Sequence, residues 1–132
     1  MRTLLTSILL LCLSCIVACH QPTQEEVVRQ TLKEALEALD REDYDAYLQH
    51  VDLDMELDSV QKDYMRDVLR QHMGWRQARR ARLASIDVIE LHQLSDSIYT
   101  AYCQYTFADS TKEVLWQKMV RQNGQWKLRL RN

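Results

Sequence analysis

Met119-Val120-Arg121-Gln122-Asn123-Gly124-Gln125-Trp126-Lys127-Leu128-Arg129-Leu130 is the stretch that decides the fold. Asn123-Gly124 sits between two strand-like runs, and both residues accept positive φ, so the pair predicts a tight β-hairpin. Beyond the turn, Trp126, Leu128 and Leu130 fall on one face, with Lys127, Arg129 and Arg131 on the other. A period of two marks a half-buried strand. Before the turn, Lys112 to Gln122 reads as its partner. Ala108-Asp109-Ser110 turns the chain again. Ile98 to Phe107 then sets Tyr99, Ala101, Cys103, Tyr105 and Phe107 on one face. Ser95-Asp96-Ser97 is the next turn signal, and Ile86, Val88, Ile89 and Leu91 suggest the first strand. Its alternation is blurred at Asp87, Ile89 and Glu90. A shift of one residue there decides which of Asp87 and Glu90 faces inward.

Upstream of Ala84 the period is helical. Thr23-Gln24-Glu25-Glu26 has the form of a capping box. Val28, Leu32, Ala35, Leu36 and Leu39 recur at helical spacing through Asp40. A short helix fits Asp43 to His50, with Tyr44, Tyr47, Leu48 and Val51 on one side. A third fits Ser59 to Met73. There Val60, Tyr64, Val68 and His72 step by four beside Met65, Leu69 and Met73, predicting one broad core-facing stripe. Gly74 is the expected stop, and the state of Trp75 to Leu83 is open. Helices first and a meander after predict an α+β fold, with N-terminal helices packed on one face of a curved four-stranded antiparallel sheet.

Composition fits one domain of this kind. The chain has 132 residues and 46% hydrophobic content, which argues against disorder. Seventeen basic residues face 19 acidic ones, a formal charge of -2, so no nucleic-acid partner is expected from the overall charge. The two glycines, Gly74 and Gly124, lie too far apart for a dinucleotide fingerprint or a Walker loop. No cofactor is implied.

The first residues read as an address. Arg2 gives a positive start, Leu4, Leu5 and the run Ile8 to Leu13 a short apolar core, and Ile16-Val17-Ala18 leads to Cys19. This order marks a secretory signal, and the apolar part is short for a membrane span. Ile16-Val17-Ala18-Cys19 resembles the bacterial lipobox. That resemblance implies a lipoprotein signal peptide over residues 1–18, diacylglyceryl transfer to the Cys19 sulfur, cleavage after Ala18 and N-acylation. Residues 19–22 then form a lipidated tether, and the domain begins at 23. The expected partner is the membrane, held through Cys19. The expected address is the bacterial cell envelope, outside the cytoplasm, with the outer membrane favoured over the inner. Cys12-x-x-Cys15 falls inside the leader, so it is not read as a redox pair.

A lipobox, a capped helix, Glu42-Asp43-Tyr44-Asp45-Ala46-Tyr47-Leu48, then Phe107-Ala108-Asp109-Ser110-Thr111-Lys112-Glu113 and Asn123-Gly124-Gln125-Trp126-Lys127-Leu128 occur in this order. Over residues 23–132 the chain resembles the small lipoproteins of the DUF4878 type, in the NTF2-like (cystatin-like) superfamily. The resemblance implies a cone of curved sheet wrapped on helices, often with a pocket, and no single activity. Relatives with this fold include enzymes with an acid/base group inside the cone.

Candidate chemistry is sparse. Tyr64, His72, Asp87 and Glu90 are the candidate ligand-binding residues. An inward Asp87 or Glu90 in an apolar cone would have a raised pKa suited to proton transfer; the bland reading is a solvent-facing carboxylate. His72 could line a pocket with Tyr64; its preferred reading is a partly buried, hydrogen-bonded histidine at a helix end. The four histidines lack ligand spacing, so no metal is expected. Asp52-Leu53-Asp54-Met55-Glu56-Leu57-Asp58 mimics a calcium loop, but Leu57 stands where glycine is needed. Its simpler reading is surface acids with Leu53, Met55 and Leu57 buried. Arg76, Arg79, Arg80 and Arg82 form a candidate patch for anionic surfaces, or else a solvated helix end. Cys103, flanked by aromatics, reads as a core thiol. The expected function is non-catalytic binding of a small ligand or an envelope partner. The alternatives are a small isomerase- or hydrolase-like enzyme with an inward carboxylate, and a self-associating structural lipoprotein.

Overall fold

The computed structural model describes residues 20–130. Residues 1–18, expected to be a leader, and Cys19, the expected acylation site, lie outside the described residues. Helix α1 spans Gln24–Asp40. Its start is the capping box read from the sequence: Thr23 Oγ1 accepts from the Glu26 amide at 3.2 Å, and Glu26 Oε2 accepts from the Thr23 amide at 3.0 Å. One face, with Val28, Leu32, Ala35, Leu36 and Leu39, is buried. Glu42, at φ 61°, turns the chain. Asp43 caps helix α2, Tyr44–Gln49, by accepting from the Ala46 amide.

Strand β1 is only Val51–Asp52, and helix α3 runs Ser59–Arg79. The strands β2 (Leu83–Ser95), β3 (Ile98–Phe107), β4 (Lys112–Gln122) and β5 (Gln125–Arg129) follow. The order across the sheet is β1-β5-β4-β3-β2. The last four strands form the predicted antiparallel meander. The sheet is nonetheless five-stranded and mixed, because β1 lies parallel to β5, with Val51 opposite Leu128. The Leu128 amide donates to the His50 carbonyl at 2.7 Å. Two residues are too few to show a period of two. Val51 therefore read as the last apolar contact of a helix, whereas it is a buried strand residue.

Helix α3 departs from expectation twice. It does not stop at Gly74. Buried Met73 before it, and Arg76 stacked on Tyr105 after it, hold the turns on either side. Such contacts offset the ~1 kcal/mol that a helical glycine costs. A Cβ at Gly74 would meet nothing within 4 Å. Gly74→Ala is therefore expected to stabilise the domain by about 0.5–1 kcal/mol. The measurement is the urea midpoint at constant m; an unchanged or lower midpoint would count against a helical glycine here. The second departure concerns the stripe. Only Leu69 and Met73 are buried, while Val60 and Tyr64 are 75% and 68% exposed. Val60, Tyr64, Val68 and Trp75 lie on a different side of the helix from Leu69 and Met73. The stripe is thus two faces, of which the core takes one.

On β3 the odd-numbered residues Tyr99 to Phe107 are buried and the even-numbered ones half-exposed. They join α1, Ile86, Val88, Met119, Trp126 and Leu128 in a single core. The blurred first strand has a physical cause. Val88 pairs with Cys103 and Glu90 with Tyr102, so Ile89 is an extra residue in a β-bulge. The Arg29 guanidinium, reaching across from α1, donates to the Val88 carbonyl at that bulge.

Candidate functional site

The bulge fixes where the candidate carboxylates point. Directly opposed residues of an antiparallel pair share a face. Asp87 is opposite Gln104 and Glu90 opposite Tyr102, and both β3 residues belong to the outer set. Without the extra Ile89, one of the two acids would be turned inward. With it, both lie outside, and both are exposed. Glu90 Oε1 is 2.7 Å from His92 Nε2, and the His92 ring meets Tyr102 edge-on at 5.9 Å. Tyr64 and His72 are exposed on α3. The four candidate ligand residues are therefore spread over a helix and the outer sheet face, and line neither of the two cavities described below.

The middle of the inner face is buried and apolar. Ala101, Cys103 and Met119 are fully buried. Burial pushes the Cys103 thiol up to about 12 and the Tyr47 phenol to about 12, so both stay protonated at neutral pH. Among the described residues the one buried charge is Asp52. It accepts from Arg129 Nε at 2.9 Å and Nη2 at 2.6 Å, and from the Asp54 amide at 3.1 Å. The acidic stretch that mimicked a calcium loop is thus partly tied into the sheet. Within it Leu53 and Leu57 are half-buried, and Met55 is exposed.

Cavities occur at both ends of the domain. α1 sets the two ends apart. Gln24 at its start meets Arg121 at 3.5 Å, and Asp40 and Arg41 at its finish line a cavity at the far end. Seventeen residues span ~25 Å at ~1.5 Å each. Near the start of α1, an open cleft of about 1340 Å³ lies between the α2–β1 segment and the β4–β5 hairpin. Its charges largely cancel: Asp45 pairs with Arg66 at 2.7 Å, and Asp52 with Arg129.

The far cavity is smaller, about 480 Å³, and differently charged. Arg41, Arg76, Arg80 and Arg82 line it, with Asp40 the sole carboxylate among the lining residues. Met73, Leu83 and Phe107 supply an apolar wall. The elements place each guanidinium. The Arg76 Cζ stands 4.6 Å from the Tyr105 ring centre, and the Arg80 Cζ 5.5 Å from that of Phe107. Arg80 also pairs with Glu113 at 3.2 Å. The Arg82 carbonyl accepts from the Ala108 amide at 2.7 Å, tying the α3–β2 connection to the end of β3. Arg76 Nη2 is buried and meets no acceptor. Of the four arginines singled out from sequence, three line this cavity; Arg79 does not. Arg41 was missed, because it lies 35 residues from Arg76 in the chain and arrives only when α1 docks.

No protein-family model and no curated protein matches the chain by sequence. Solved structures do match by shape. A Campylobacter jejuni protein described as a candidate NTF2-like transpeptidase aligns over 77% of this chain and 96% of its own, with TM-score 0.63 and 14% identity. An NTF2-like protein of unknown function from Shewanella oneidensis aligns over 80% and 94%, with TM-score 0.53 and 16% identity. The fold is NTF2-like. A SEC-C motif containing protein from Rhodopseudomonas palustris also aligns, over 76% and 73%, with TM-score 0.51 and 13% identity. At these identities the likeness concerns architecture, and NTF2-like architecture hosts many chemistries. Function must come from the site.

Proposed function

We propose that this chain is a lipid-anchored, extracytoplasmic NTF2-like domain of the DUF4878 lipoprotein type, which binds a small ligand or an envelope partner without chemistry. The observation that carries the binding reading is the far cavity, where four arginines and an apolar wall line one space. The acid/base alternative loses its main support, since Asp87 and Glu90 lie on the outer face. The exposed stripe of Val60, Tyr64, Val68 and Trp75 supports a partner rather than a solitary domain.

Anchoring rests on the lipobox and on the place where the fold begins. Helix α1 is capped at Thr23, four residues past Cys19. At ~3.3 Å per residue that leaves a tether of ~10–15 Å, which keeps the domain beside its membrane. Several acyl chains on one cysteine anchor durably, whereas a single chain is marginal. Cys19→Ala is expected to move the protein from the membrane fraction to the soluble one. A mutant that still pellets with membranes, and resists salt and carbonate washing, would sink the lipid assignment.

A further inference from the structure

The arginine cavity has a ligand chemistry of its own. Its lining includes four arginines and Asp40, and Glu113 engages Arg80 from outside. Two positive charges are left over. The finishing ends of α1 and α3 both abut the cavity, and each helix C-terminus contributes about half a negative charge, which trims this surplus without cancelling it. Among the described residues, no carboxylate lies within ion-pair distance of Arg41, Arg76 or Arg82.

We propose that this cavity binds the phosphoryl group of a phosphate monoester, with the ester's organic part against Met73, Leu83 and Phe107. The inference deepens the binding reading above and rests on it. Three features select this class. Guanidinium forks match phosphate oxygens bidentately. A phosphate monoester is anionic at neutral pH, the sign that the surplus attracts, and offers three terminal oxygens where a carboxylate offers two. A volume of about 480 Å³ also exceeds the needs of a bare ion, and the apolar wall gives the remainder a surface. The cavity lies at the finish of α1, ~25 Å along the helix from its tethered start. A soluble or glycan-borne phosphate reaches that end freely, whereas a headgroup of the anchoring membrane does so only if the domain lies flat.

The test is calorimetric titration of the full chain, held in a neutral-headgroup detergent, with phenyl phosphate, inorganic phosphate and benzoate. Saturable binding of phenyl phosphate at one site per chain is expected, at least tenfold tighter than benzoate and tighter than inorganic phosphate. Arg41→Gln with Arg82→Gln, both on the rim, should weaken it by tenfold or more, and Arg79→Gln should leave it unchanged. Non-saturable heats, equal affinity for benzoate, or equal losses in Arg79→Gln and the rim variant would each overturn the proposal. A binding-deficient rim variant must keep its circular dichroism and thermal midpoint; if it loses them, Arg82→Lys replaces it, and an undiminished affinity there overturns the fork geometry. Vesicles bearing phosphatidic acid form the second arm. Competition with phenyl phosphate assigns the phosphoryl group to a headgroup, and no competition assigns it to a soluble source. Retention of some other small molecule or envelope protein by a chain that ignores phenyl phosphate would remove the phosphate inference and leave the binding reading standing.

Discussion

Arg129→Met is expected to destabilise the domain by about 3 kcal/mol, because it strands a buried carboxylate. The Asp52 side chain is 2% exposed and takes two hydrogen bonds from the Arg129 guanidinium. Removing one partner of a buried pair typically costs about 3–5 kcal/mol. The lower figure applies, since the Arg129 side chain is 37% exposed and water can enter its place. Asp52→Asn combined with Arg129→Met should recover part of the loss, because no charge is then left buried. Chemical denaturation of the four species closes the cycle. A double variant no more stable than Arg129→Met alone would show that the pair is not the clasp between β1 and β5.

The same pair predicts a dependence on acidity. Burial alone would raise the Asp52 carboxyl. The Arg129 hydrogen bonds, the Asp54 amide and the Arg129 charge outweigh it and hold the group below the ordinary carboxylate range. A folded-state value below the unfolded one contributes stability that is complete above the unfolded value, near 3.9, and disappears as pH falls through the folded value. Wild-type stability should therefore fall more steeply than that of Asp52→Asn between about pH 5 and pH 2. Parallel curves for the two proteins would remove Asp52 from the account.

How far the sequence was legible depends on the range of the signal. The β4–β5 hairpin was readable because Asn123-Gly124 is local chemistry: both residues adopt positive φ, 50° and 76°. β3 was readable because ten residues alternate without interruption. β1 was not, because two residues carry no period and its partner is 77 positions away. The α3 stripe misled for a related reason. Periodicity reports that a face is apolar and is silent on whether anything covers it, and the core covers only Leu69 and Met73. The bulge at Ile89 left a visible trace, the blurred alternation. Its consequence for Asp87 and Glu90 depended on which residue was extra, and only pairing with β3 decides that. For the arginine cavity, three residues clustered in sequence were visible and Arg41 was not. A cluster within one helix end looks like dipole compensation until another element brings a fourth charge beside it.

Trp126→Ala is expected to cost more than any other truncation considered, about 3–5 kcal/mol. Trp126 is the residue that makes the last strand part of the domain. Its ring meets Tyr99 edge-on at 5.3 Å, an arrangement that adds to simple burial. Arg121, opposite it across the hairpin, lies over the same ring at 5.8 Å. The indole is 7% exposed, so its removal leaves a cavity between β3, β5 and the buried face of α1 that neighbouring side chains fill only in part. Loss of β5 would also unseat β1, whose only strand partner among the described residues is β5, and with it the Asp52–Arg129 clasp. The effect should therefore appear as cooperative loss of the whole sheet rather than fraying of one end. Trp75→Ser serves as the control. Trp75 is 69% exposed on α3, and a surface substitution away from such contacts usually changes stability by less than about 0.5 kcal/mol. Thermal and urea unfolding of both variants, followed by far-ultraviolet circular dichroism, separates the cases. Similar losses in the two proteins would mean that the exposed indole is packed in solution, and that the unpartnered face of α3 is not free.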